Sequence, residues 1–135
     1  MPRRSEIAIL DELTHATCCS ADRCAGAARA AGEGYRKVVI EQLAEDRRLL
    51  LVDLVRLQLL RGVPEDQVRR SITDLPAAPQ HAVMAGDVTW IDVEIAERNL
   101  HLSLLRALRD PALSEPVREA LSLHYLRRKL HHDAL

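Results

Sequence analysis

The stretch YRKVVIEQLAEDRRLLLVDLVRLQLL, residues 35–60, is the longest unbroken helical pattern in this 135-residue chain. It holds no Pro or Gly, and no Asn, Ser or Thr to compete for the backbone. Apolar residues recur at Val39, Leu43, Leu50, Leu54, Leu57 and Leu60, a seam with helical spacing. A second row, Ile40, Leu51, Val55 and Leu59, runs beside it, and Leu49 and Val52 widen the stripe further. The middle of this helix is therefore apolar around more of its girth than a two-helix hairpin can bury. At 1.5 Å per residue it spans roughly 39 Å, so it needs long partners on at least two sides. The fold class that follows is all-α, a helical bundle.

Working outward, Ser5 can cap a first helix over about 5–31, in which Glu6 suits the positive end of the dipole. Small residues crowd positions 16–32 and allow a close neighbour. Gly32-Glu33-Gly34 then makes a turn short enough for an antiparallel hairpin with the helix over about 34–61. Residues 62–86 form a much longer connection, with a short helix opened by Pro64-Glu65-Asp66 and a break at Asp74 to Pro79. A connection this long can return along the bundle, so the third helix can start at the same end as the second. That helix, about 87–109 with Asp87 as N-cap, offers two seams. One is Ile91, Ile95, Leu102 and Leu105; the other is Val93, Leu100, Leu104 and Leu108. Asp110-Pro111 stops it, and Ser114-Glu115-Pro116 restarts a fourth helix over about 114–132. The expected architecture is one domain over 1–135: a four-helix bundle of two antiparallel hairpins joined by a long crossover between the second and third helices.

Composition narrows the function. Aromatics are 2% of the chain and the formal charge is −1, so no global field favours nucleic acid or an anionic membrane. The longest aliphatic run is far too short to span a bilayer, and the first residues do not read as a signal peptide. Three cysteines, an odd number, read as reduced thiols, which sets the expected location as cytoplasmic.

Polar residues on inward seams are the candidates for chemistry. His15, Cys18, Cys19 and Asp22 share about one third of the first helix, and Asp46 and Asp53 interrupt the seam of the second. Glu94, Glu97 and His101 share a face of the third helix, and the fourth carries His124, His131 and His132. A carboxylate and an imidazole from each of several helices is the donor set that a metal centre inside a bundle requires. The plainer reading is that arginines such as Arg23, Arg47, Arg98 and Arg128 pair with these carboxylates, and that the cysteines are small buried hydrophobes. No nucleophile–base pattern, phosphate loop or zinc spacing is present.

Several short pieces, in order, resemble the small bacterial ferritin-like proteins of unknown function. They are Leu10-Asp11-Glu12-Leu13, Gly62-Val63-Pro64-Glu65, Glu94-Ile95-Ala96-Glu97, Leu105-Arg106-Ala107-Leu108, Pro116-Val117-Arg118 and His132-Asp133. The resemblance implies a ferritin-like fold and a site for iron or another divalent metal. It matches Asp22, Glu94 and Glu97 to inward carboxylates, and His101, His15 and His124 join them as candidate ligands. The chain departs from the superfamily's Glu-x-x-His pattern, since Glu97 and His101 are four apart and neither the second nor the fourth helix has the histidine. The expected function is metal binding in stress protection, with a weak metal-dependent oxidase activity if it is an enzyme, in a homo-oligomer. The alternatives are a non-catalytic structural or interaction bundle without metal, for which Glu97→Leu is neutral or stabilising, and a thiol sensor using Cys18, Cys19 or Cys24.

Overall fold

The structure, a computed structural model, describes residues 5–30, 34–73 and 86–133. It is all-α, with no strand among the described residues. The helices are α1 (Glu6–Ala30), α2 (Tyr35–Leu60), α3 (Glu65–Thr73), α4 (Gly86–Leu108) and α5 (Glu115–Asp133). The predicted third and fourth helices are thus α4 and α5, and α3 is the short helix expected after Pro64. The Gly32-Glu33 turn and the Asp74–Pro79 break lie outside the described residues, as does the side chain of the expected cap Asp87.

Local chemistry sets the helix ends. The Ser5 hydroxyl accepts the Ala8 backbone N–H at 3.1 Å, as its capping role requires. Gly62 ends α2 with φ +85°, a conformation that costs a residue with a Cβ. There the Val63 N–H reaches the Gln58 carbonyl and the Gly62 N–H reaches the Leu59 carbonyl, both at 3.1 Å. These two bonds satisfy carbonyls that the helix leaves open. Glu6 ties three ends together: it pairs with Arg61 at the end of α2 and accepts the Ser114 N–H, at 2.5 Å, ahead of α5. Arg61 Nη2 in turn donates to Ser114 Oγ at 2.9 Å. Burial pushes the Glu6 carboxyl up, but the bonds from Arg61 and Ser114 outweigh it and hold the group below its ordinary value.

α1 lies beside α2 and α4, α5 lies beside the same two helices, and α3 rests against α1 and α2. Early residues of α1 meet late residues of α2 and α4. The Thr14 hydroxyl is 2.9 Å from the Gln58 side chain, and Glu12 is 3.8 Å from Arg106. In the same sense Asp53 of α2 meets His124 of α5 at 2.6 Å, and Arg118 of α5 donates to the Leu108 carbonyl of α4 at 3.2 Å. Both α1 and α5 therefore run against α2 and α4.

The core is in two parts. The larger joins Leu10 and Leu13 to Leu50, Leu54, Leu100, Leu104, Val117 and Leu121; the smaller joins Cys24, Ala27, Ile40, Leu43 and Val93. In α2 the expected seam is buried from Val39 to Leu57, while Leu60 and Leu59 are exposed. In α4 only one of the two seams faces inward, that of Val93, Leu100 and Leu104. Ile91, Ile95 and Leu102, of the other seam, lie on the opposite side and are exposed. The reason is angular. At 100° per residue the two rows are about half a turn apart, and the buried one also carries Glu97.

Candidate functional site

Between the two parts of the core lies a polar layer, to which four helices contribute. α2 brings Arg47, α4 brings Glu97 and His101, α5 brings Arg128, and α1 brings Ser20. Each occupies a position where the apolar seam of its helix is interrupted. Arg47 binds Glu97 with two parallel bonds, Nε to Oε1 at 2.7 Å and Nη2 to Oε2 at 2.6 Å. The Ser20 hydroxyl donates to the same Oε1 at 2.8 Å. Arg128 sits on the other side of the carboxylate, with Nε 3.3 Å from Oε2 and Nη2 donating to the Glu97 backbone carbonyl at 3.1 Å. Its Nη1 donates to His101 Nδ1 at 2.8 Å, which makes His101 a neutral imidazole with its proton on Nε2. The His101 ring stacks on Tyr125, with centroids 5.4 Å apart.

Burial alone pushes the Glu97 carboxyl up. The hydrogen bonds and charge of Arg47, with help from Ser20 and Arg128, reverse that and keep it below the ordinary carboxylate value. The layer is thus an anion clasped by two cations. Planar guanidinium suits this role better than ammonium because its fork matches both carboxylate oxygens at once.

The six residues matched to a metal site are placed as follows. Glu97 is buried in the clasp, and His101 is half-buried against Arg128 and Tyr125. His124 is buried and bonds to Asp53, which also pairs with Arg56 at 3.4 Å. Asp22, Glu94 and His15 are exposed; Asp22 pairs with Arg23 at 2.7 Å. His15 lines two surface grooves, one with Asp11 and Ser71 beside α3, the other with Cys19 and Asp92 between α1 and α4. Among the described residues, no three His, Cys, Asp or Glu side chains are grouped as a metal ion requires. The donor set at Glu97 fits guanidinium and does not fit iron or another divalent cation, because two positive charges already occupy the carboxylate.

Comparisons with protein-family models, with curated proteins and with solved structures give no match to this chain. Its chemistry rests on its own residues.

The plainer reading, in which arginines pair with the inward carboxylates, holds at Glu97 for Arg47 and Arg128. Arg47 stands in a charged run, Glu45-Asp46-Arg47-Arg48, in which Asp46 interrupts the inward seam, and both Asp46 and Arg47 are buried. The available signal is that Arg47 lies four residues after Leu43 and three before Leu50, in register with the core. The cysteines behave as small hydrophobes. Burial, with Cys19 adding to it, pushes the Cys18 thiol up to about 11, and burial pushes Cys24 up to about 12. Burial raises Cys19 as well, against the pull of Arg23. None of the described helices is long and apolar enough to cross a membrane.

Proposed function

We propose that this chain is a non-catalytic interaction bundle of ferritin-like order, whose interior charges fix how the helices meet. Two hairpins, α1–α2 and α4–α5, are joined by a crossover that contains α3. The antiparallel pairings of α1 and α5 with both α2 and α4 support that order. The observation that carries the functional reading is the Arg47–Glu97–Arg128 clasp. An interior built for redox or hydrolytic chemistry needs carboxylates open to a metal or a substrate. Here the Glu97 carboxylate, the one at the centre of the polar layer, is committed to the protein's own cations. Buried ionic groups of this kind act on specificity of pairing more than on net stability.

Thermal unfolding tests the reading. Protein purified without chelator, then measured with EDTA and with added ferrous or zinc ion, is expected to melt at the same temperature throughout. A saturable rise with either metal that is lost in Asp22→Ala or His101→Ala overturns the reading in favour of a metal site.

A further inference from the structure

We propose that the outer face of α2 and α5 seats a second copy of this chain, about a two-fold axis parallel to the helices. The inference rests on the reading of the chain as an interaction bundle. On this face Leu123, Leu126 and Leu130 of α5 are 69, 56 and 73% exposed, and Val52 and Leu60 of α2 are 53 and 69% exposed. The leucines repeat at i, i+3 and i+7, and Leu49, Val52 and Leu60 form the matching row on α2. Both rows lie outward of the Asp53–His124 contact and on the same side of the helix pair. Five side chains this open present on the order of 500 Å² of carbon, the upper range for a monomer's largest patch. With their polar rim they approach the ~800 Å² per partner of a stable interface.

The register follows from geometry. Within one chain α2 and α5 are antiparallel, and Asp53 lies level with His124. A two-fold axis along the helices preserves height, so it sets α2 of one copy antiparallel to α5 of the other in that same register. Every neighbouring pair in the resulting four-helix contact is then antiparallel, which opposes the helix dipoles favourably. A perpendicular axis sets α2 against α2 and α5 against α5, which are antiparallel as well, so the pairing of Arg56 with Glu119 is what selects the axis along the helices. In the antiparallel register Val52 falls level with Leu123 and Leu126, Leu49 with Leu130, and Leu60 with Pro116. Arg56 then stands within about 3 Å of height of Glu119 on the other copy, at 1.5 Å per residue. Glu119 is exposed and has no ion pair in its own chain among the described residues, while Arg56 makes only a long one at 3.4 Å.

Sedimentation or light scattering over a dilution series, with helicity checked by circular dichroism, tests this. The wild type is expected to be a dimer, and Leu126→Glu a folded monomer. Arg56→Glu and Glu119→Arg are each expected to weaken the dimer about tenfold or more, and the double reversal to restore it. Wild type that stays monomeric, including because the face takes another partner, overturns the proposal but leaves the metal-independent melting of the bundle intact. A dimer that ignores Leu126→Glu overturns this face. Failure of the double reversal to restore association overturns the axis.

Discussion

Arg47 and Glu97 meet through two parallel hydrogen bonds, of 2.7 and 2.6 Å, with neither side chain reaching water. Removing only Glu97 strands two guanidinium groups in the interior. Glu97→Leu is therefore expected to cost about 3–5 kcal/mol of unfolding free energy, and not to be neutral. Replacing Arg47, Glu97 and Arg128 together with apolar side chains of similar volume is expected to recover most of that loss or exceed the wild type. Urea unfolding of the single and triple variants measures both; a neutral single variant contradicts the clasp.

Acid should loosen the fold through Glu97 and Glu6. Both carboxyls are held below their ordinary value of 4.5, so the folded state binds fewer protons than the unfolded one as the pH falls. Their contribution is whole above that value and drains away as pH drops through the lower folded values. Stability measured from pH 6 downward should fall more steeply in the wild type than in Glu97→Gln, which starts lower. Parallel curves would remove Glu97 as a source of the acid sensitivity.

The thiols should be slow. With Cys18 and Cys24 pushed up to about 11 and 12, little thiolate exists at neutral pH, and both side chains are buried. Alkylation of native protein at pH 7 is expected to lag behind that of urea-unfolded protein, with half-buried Cys19 reacting first. Rapid labelling of Cys18 or Cys24 would revive a thiol-sensor role.

Gly62→Ala is expected to cost roughly 1 kcal/mol, because the turn after α2 needs φ +85° while the space around the site is open. Strain alone then sets the loss. A variant as stable as wild type in thermal unfolding would mean that the turn re-forms in another conformation.

Much of the fold was legible in the chain. The seam from Val39 to Leu57, the Ser5 cap, the Gly62 stop and the Ser114 restart all stand where helical spacing and capping chemistry put them. That Glu97 interrupts an apolar seam was legible too, from its place between Val93 and Leu100. Which seam of α4 faces the core was not, since Ile91, Ile95 and Leu102 have the same period as Val93, Leu100 and Leu104. Choosing between them takes knowledge of what the other helices present. Arg47 and Arg128 were legible as partners for the inward carboxylates, but not which carboxylate each takes: Arg47 is 50 residues from Glu97, and local periodicity carries no information on a bond of that range.

The clasp divides the interior unevenly. On one side large leucines from α1, α2, α4 and α5 interlock; on the other, α1 contributes Cys24 and Ala27, with little carbon to bury. Free energy per turn is therefore lower toward the α1–α2 turn than toward the Glu6 end. The molecule should breathe from there. Amide protons around Cys24, Ile40 and Val93 should exchange through partial openings, while those around Leu54 and Leu104 wait for the whole chain to unfold.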